Sequence, residues 1–198
     1  TSGSESQREA KFSGKHAPYL LFIVDEADAV PDEVFSGIES CMSGGYARLL
    51  CMLNPRSPSG AVYRMIRDGR AKVITLSAFD HPNVVTGADK IPGAVDRQTT
   101  VRRINEWCRL LTDNEKVGAD CFKLPSFIEG VVGVSQAGTE YAPLRAGYYK
   151  VMDPAFSYMV LGEYPAQGAN QLISKEWIDA ARKRWSEYVS AGKKNDGK

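Results

Sequence analysis

An α/β fold built on a parallel sheet with flanking helices is what this sequence predicts. Three observations carry that reading. Short, unalternating apolar runs occupy residues 19–24, 48–53 and 72–76. Helix-patterned stretches of crossover length separate them. Each run stops at polar residues: Asp25-Glu26, Asn54-Pro55, and the stretch from Ser77 to Asp80-His81. Strand–helix–strand–helix–strand order at this spacing implies parallel strands joined by right-handed crossovers.

The elements follow in order. Residues 1–18 carry Ser, Gly, Lys and Glu without periodicity and read as a flexible start. Tyr19–Val24 is a continuous apolar run, which suits a strand covered on both faces. Pro31 opens a helix with Asp32 and Glu33 in its first turn, where acids favour the positive end of the dipole. Val34, Phe35, Ile38 and Met42 form its apolar stripe, and Gly44-Gly45 ends it. After the strand at 48–53, a polar loop at 56–60 leads into a helix with Val62, Met65 and Ile66 inward, stopped by Gly69. Residues 72–76 are the third strand. A loop at 82–95 precedes a long helix with Val101, Ile104, Cys108 and Leu111 on one face. The region 112–150 is rich in Gly and Pro, with 127–134 as a candidate strand. Asp153 caps a short helix through Tyr158 to Leu161. Ser174 caps a last helix whose stripe is Ile178, Ala181, Trp185 and Val189, expected to pack against the sheet layer. The tail after Gly192 is polar and expected to be disordered.

Composition bounds the function. At 198 residues the chain is one domain, or one with an appendage. With 43% hydrophobic and 25% charged residues it is neither disordered, collagen-like nor a disulfide scaffold. The 25 basic and 24 acidic residues leave a net charge of +1, so any nucleic-acid contact must come from a local patch. The longest apolar run, 19–24, falls far short of the roughly 20 residues of a membrane span. Residues 1–14 are polar and show no cleavable signal pattern. Cys41, Cys51, Cys108 and Cys121 form no C-x-x-C pair and only two histidines accompany them. A zinc site is disfavoured, and the thiols read as reduced residues of a cytosolic protein.

In an open parallel sheet, ligands bind outside the carboxyl ends of the strands. Asp25-Glu26, Asn54 and Asp80-His81 are the residues at those ends. Two adjacent carboxylates after a fully apolar strand are the sharpest feature, because a buried unpaired charge is costly and a hydrated metal ion is one remedy. The plainer alternative is an ordinary strand end whose acids cap the next helix. Strand alternation lets the two acids take two jobs.

The run Leu20-Leu21-Phe22-Ile23-Val24-Asp25-Glu26 resembles the Walker B element of P-loop NTPases of the additional-strand, catalytic-glutamate type. Several segments in order resemble the ATPase of phage and prophage terminase large subunits, the DNA-packaging motors. They are Phe12-Ser13-Gly14-Lys15-His16-Ala17-Pro18, Val24-Asp25-Glu26-Ala27, and Leu53-Asn54-Pro55 with Ser57-Pro58-Ser59-Gly60 and Tyr63. Next come His81-Pro82-Asn83-Val84 with Ile91-Pro92-Gly93-Ala94-Val95. Last are Val160-Leu161-Gly162-Glu163-Tyr164-Pro165, Leu172-Ile173-Ser174 and Trp177. The resemblance covers roughly residues 10–180. It implies a P-loop NTPase-like sheet over 19–150 and a helical linker over 151–198 leading toward a nuclease domain.

The same resemblance implies roles. Asp25 matches the Mg²⁺ aspartate and Glu26 the catalytic glutamate acting on ATP. Asn54 matches the region of the coupling motif, where a polar side chain senses the γ-phosphate. Implied partners are double-stranded DNA, a terminase small subunit and the portal or procapsid, with a homo-oligomeric ring working in the cytoplasm of a bacterial host. Arg64 and Arg67, three apart on one helix face, are candidates for contact with DNA or a neighbouring subunit, against the plainer reading of a solvated face. Arg182-Lys183-Arg184 invites the same pair of readings, with Trp185 as core.

Departures from the pattern matter too. No Gly-x-x-x-x-Gly-Lys-Ser/Thr is present, so no Walker A residues are assigned. Around Gly14-Lys15, His16 follows the lysine and Glu9 sits where the first glycine belongs. The expectation is a partial ATPase domain lacking the first strand and phosphate loop, inactive alone. Two alternatives stay open. One is a prophage-derived interaction module that binds without hydrolysis. The other is a helicase fragment, since Asp25-Glu26-Ala27-Asp28 spells the DEAD-box motif, although Ser77-Ala78 is followed by Phe79 rather than by the threonine of the helicase coupling motif.

Overall fold

The computed structural model describes residues 4–166 and 175–190. It is a mixed α/β structure with a small parallel sheet. The first unit is a β-α-β arrangement: β1 (Tyr19–Val24) and β2 (Tyr46–Cys51) pair in parallel, from Tyr19 opposite Tyr46 to Val24 opposite Cys51. The crossover contains α2 (Asp32–Cys41), which Pro31 starts with its φ of −59° and which buries Val34, Phe35, Ile38 and Cys41. Before β1 lies α1 (Glu5–Phe12), at a place where the sequence shows no periodicity. The Ser4 amide donates to Gln7 Oε1 at 3.1 Å, closing its first turn. α1 rests directly on α2 because residue 37 is glycine: a Cβ there would lie 2.6 Å from the Glu9 carbonyl oxygen.

α3 (Gly60–Arg67) follows β2 and joins Val62 to Ala27 and Phe35 in one apolar cluster. Gly69 closes it, its amide donating to the Ile66 carbonyl at 3.1 Å. This cluster lies on one face of the sheet, against Val24, Leu49 and Cys51. Among the described residues nothing covers the other face. Tyr19, Leu21, Ile23 and Tyr46 are each more than half exposed, so β1 is covered on one face rather than on both.

The second unit carries the larger core. α4 (Pro82–Thr86) and α5 (Arg97–Trp107) lead into an antiparallel sheet of β3 (Cys108–Leu110), β4 (Cys121–Lys123) and β5 (Tyr148–Val151), in the order β3-β5-β4. Val101 and Ile104 of α5 pack with Leu124, Ile128, Leu144, Tyr149, Phe156 and Val160. Fully burying an aliphatic or aromatic side chain of this kind stabilises by about 1.5–3 kcal/mol. Phe122 stacks on Phe156 with ring centroids 4.9 Å apart. Asp96 caps α5 by accepting from the Thr99 amide at 2.6 Å.

Several expectations are corrected. Residues 72–76 hold no regular secondary structure and pair with no described strand, so the third strand and its end at Asp80-His81 do not form. The exit of that segment is held sideways instead. Ser77 Oγ donates to the Val160 carbonyl at 3.1 Å. A Cβ on Gly162, whose φ is +68°, would lie 2.7 Å from the Leu76 carbonyl oxygen. β2 begins at Tyr46 and ends at Cys51, earlier than the 48–53 run. The helical stripe in α5 stops at Trp107: Cys108 leaves the helix because the Trp107 carbonyl is taken by the Met152 and Asp153 amides, and Arg109 pairs across to Lys150. Residues 127–134 are no strand. They hold part of a 3-10 turn (Ser126–Ile128) and one bridge from Val134 to Glu140.

The loop 82–95 contains α4 and is organised by Asn83. Its Oδ1 accepts from the Lys90 and Ile91 amides, both at 2.8 Å, and its Nδ2 donates to the Ile91 carbonyl at 2.9 Å. His81 Nδ1 accepts from the Asn83 amide at 3.3 Å, so His81 anchors this loop. Asp153 Oδ1 accepts from the Ala155 amide at 2.8 Å, ahead of a π-helical turn over Ser157–Leu161. In α6 (Lys175–Ser190) the expected burial fails: Trp185 is 57% exposed and Val189 is exposed as well. The expected cap Ser174, the segment Leu172-Ile173 and the tail after Gly192 lie outside the described residues. All four cysteines are free, Cys41 and Cys108 buried. Among the described residues no helix is long and apolar enough to cross a membrane.

Asn83→Ala removes three hydrogen bonds from a side chain that is 1% exposed. Leaving the buried Asn83 site without these part-buried bonds to Lys90 and Ile91 should cost about 1–3 kcal/mol. At roughly 2–4 °C per kcal/mol for a chain of this size, the melting temperature should fall by about 2–12 °C in a circular-dichroism melt.

Candidate functional site

The parallel register builds the site. Because Val24 lies opposite Cys51, both strands leave the sheet at the same level and in the same direction. The ladder runs one step further: the Met52 amide donates to the Val24 carbonyl at 2.9 Å, and the Ala27 amide returns to the Met52 carbonyl at 3.0 Å. These two bonds stitch the turn after β1 to the start of the loop after β2. Asp25-Glu26 and Asn54 therefore sit on adjacent loops at one sheet end.

The turn has a tight geometry. Glu26 takes the left-handed conformation, φ 49° and ψ 41°, and among the described residues no other non-glycine has a positive φ. Its amide donates to Asp25 Oδ1 at 2.9 Å. A left-handed residue with a side chain costs about 1–2 kcal/mol and persists only when its surroundings impose it. Here the Ala27–Met52 bond and the following 3-10 turn (Ala27–Ala29) impose it. The direction of Glu26 is thus set by this turn and not by strand alternation, which ends at Val24.

Asp25 and Glu26 are both exposed, which removes the argument that their burial demands a counter-ion. Among the described residues nothing bonds to Asp25 Oδ2. One solvated carboxylate suits a divalent ion that retains most of its water, as Mg²⁺ does. Among the described residues no group of three or more His, Cys, Asp or Glu could cage a metal. The donor set fits a hydrated Mg²⁺ held through one carboxylate and does not fit an all-protein site.

Asn54 is exposed, and its carbonyl accepts from the Arg56 amide at 2.8 Å. Arg64 and Arg67 stand away from one another in partnership. Arg64 is paired with Asp32 at 2.7 Å, fastening α3 to α2, and Arg67 with its neighbour Asp68 at 2.8 Å. Both pairs are exposed, and such pairs are worth about 0–1 kcal/mol.

Two residues join the site that the motif reading quoted without giving them a role. Asp28 Oδ2 accepts from the Arg56 amide at 3.3 Å, a second tie between the two loops. Tyr164, from the segment after the π-turn, sets its ring edge-on to Tyr63 of α3, centroids 5.0 Å apart and planes at 72°. Burial, then the charge of Asp28, push the Tyr164 phenol up to about 12. Asp28 was visible only as the last letter of a helicase-like tetrapeptide. Tyr164 lies more than a hundred residues away, and no periodicity links it to β1.

Because Glu26 holds a glycine-like conformation, Glu26→Gly should leave the melting temperature unchanged or raise it by roughly 2 °C, and Glu26→Val should lower it by at least as much. A lower melting temperature for the glycine variant would show that the glutamate side chain, not the turn, stabilises this loop.

No family model matches the chain, and no solved structure matches it. Over 55 residues it is 42% identical to a protein of Enterobacteria phage P7 described as "Probable terminase, large subunit". The match covers 28% of this chain and 11% of that relative. A quarter of the chain is thus similar to a small part of a phage terminase large subunit.

Proposed function

We propose that this chain is part of the ATPase of a viral DNA-packaging motor, with Asp25 and Glu26 as its Walker B pair. The observation that carries the reading is the β1–β2 register, which sets an acid pair and a polar sensor on adjacent loops at one sheet end. The stretch similar to a terminase large subunit supports the same assignment. P-loop chemistry, Mg²⁺ and ATP belong to the proposal, as do double-stranded DNA, a small subunit, a portal and a ring of copies as partners.

In this reading the Asp25 carboxylate would hold the hydrated ion. Bound Mg²⁺ would supply neutralisation of the charge developing on the phosphate oxygens. The Glu26 carboxylate accepts a hydrogen bond from the attacking water and draws off its proton. The left-handed backbone holds that carboxylate off the strand axis, beyond the end of β1. The Asn54 amide, both donor and acceptor, is suited to register whether the terminal phosphate is present. Loop ties at Met52 and Arg56 would carry that information to the Asp25 turn. Arg64 would first have to release Asp32 to act on DNA or a neighbouring subunit, an inexpensive exchange for an exposed pair.

A second reading is an interaction module that does not hydrolyse ATP. The two readings separate by experiment. The 198-residue chain alone should show no ATP binding at micromolar nucleotide in calorimetry. A protein that joins it to a phosphate loop should hydrolyse ATP. There Glu26→Gln should lower the rate by about 10²–10⁴ while nucleotide binding persists. Near-normal turnover in that variant would remove Glu26 from the reaction.

A further inference from the structure

The Tyr164 hydroxyl is an anomaly in the molecule. Its oxygen is sealed from solvent and has no hydrogen-bond partner among the described residues. Buried hydroxyls in native structures almost always find one, so an orphan calls for an explanation. A phenol held this way is a donor waiting for an acceptor.

The surroundings supply one. Tyr63, which packs against the Tyr164 ring, belongs to α3. The same helix packs on the 3-10 turn Ala27–Ala29, with Val62 and Ala27 sharing one buried cluster. Asp28 is the middle residue of that turn. Its carboxylate is engaged here only through Oδ2, by the long 3.3 Å contact from the Arg56 amide. A carboxylate offers about four acceptor positions, so capacity remains. The charge of Asp28 is also felt at the phenol, where it disfavours ionisation.

We infer that Tyr164 is a positioning residue of the candidate site: its hydroxyl donates to the Asp28 carboxylate in a second arrangement of the turn after β1, latching that turn to the segment 162–165. In the arrangement described, Asp28 ties the β1 turn to the β2 loop through Arg56. In the latched one it ties the turn to the segment that follows the π-turn. Gly162, pressed against the Leu76 carbonyl, and the Glu163 amide, donating to the Ser157 carbonyl at 3.0 Å, anchor that segment on the second core. A change at Asp25-Glu26 would thus reach the antiparallel unit through one hydrogen bond.

The consequence for ATP turnover rests on the function proposed above, but the latch itself is read without nucleotide. Hydrogen exchange of the Ala29 and Val30 amides, which close the turn by donating to Glu26 and Ala27, is the readout, measured on the 198-residue chain. Tyr164→Phe keeps the ring on Tyr63 and removes only the hydroxyl. It should speed exchange at both amides by about twofold in the parent chain, as for a second arrangement that holds about half of the molecules, and leave it unchanged in an Asp28→Ala background. Amides of α5 at Ile104 and Asn105 should not respond in any variant, which separates loss of the latch from loss of the fold. The inference is overturned if Tyr164→Phe leaves the turn's exchange unchanged or slows it, as removal of a mere orphan would. Equal acceleration with and without Asp28 overturns it as well. Neither result bears on Glu26→Gln turnover, so the two proposals fail separately.

Discussion

The parallel ladder between Tyr19–Val24 and Tyr46–Cys51 is the constraint on which the candidate site depends. Parallel pairing demands a crossover, and α2 lies within it. In-register pairing makes both strands end together, so the two loops that follow must share a level. The bonds from Met52 to Val24 and from Ala27 to Met52 then leave the chain little freedom at residue 26. A left-handed glutamate is the result. The backbone strain at the acid pair is thus a product of strand register, and the chemistry proposed there inherits its geometry from the sheet.

The sheet buries one face and leaves the other open. Val24, Leu49 and Cys51 pack under α2 and α3, while Tyr19, Leu21, Ile23 and Tyr46 face outward. Parallel sheets usually carry cover on both sides. The second unit does not provide it among the described residues; its core is self-contained around Ile104, Ile128 and Phe156. The two halves meet through a few specific contacts: Gly162 on Leu76, Ser77 on Val160, and Tyr164 on Tyr63. Each involves the stretch 160–164. That stretch closes the π-turn and passes through the left-handed Gly162, a conformation glycine adopts without steric cost.

Much of the first unit was legible from the residues. The apolar run 19–24, the Pro31-Asp32-Glu33 start and the Val34, Phe35 and Ile38 spacing each state their element locally, and they agree with one another. The 72–76 run reads as a strand on the same grounds, but strand formation needs a partner edge, which no local pattern reports. β3, β4 and β5 are three or four residues long, too short for alternation to be recognised, and their pairing joins residues 25 to 43 positions apart. Cys108 continues the α5 stripe perfectly, and tertiary bonds from Met152 and Asp153 override it. Trp185 looks like core by spacing, yet stands out in solvent. At the site, the acid pair and Asn54 announce themselves by position at strand ends. The left-handed backbone of Glu26, the Asp28–Arg56 tie and the orphaned hydroxyl of Tyr164 do not, because each is a consequence of folding.

The central claim is that the joined ends of β1 and β2 form the nucleotide-facing edge of the molecule. Backbone amide mapping on a protein that unites this chain with a phosphate loop tests it most directly, comparing exchange with and without Mg²⁺ and a non-hydrolysable ATP analogue. The account predicts that the largest added protection falls on residues 25–28 and 52–56 together. Tight nucleotide binding that leaves both loops at their ligand-free rates, or that protects 14–16 at the opposite end of the sheet instead, would contradict it.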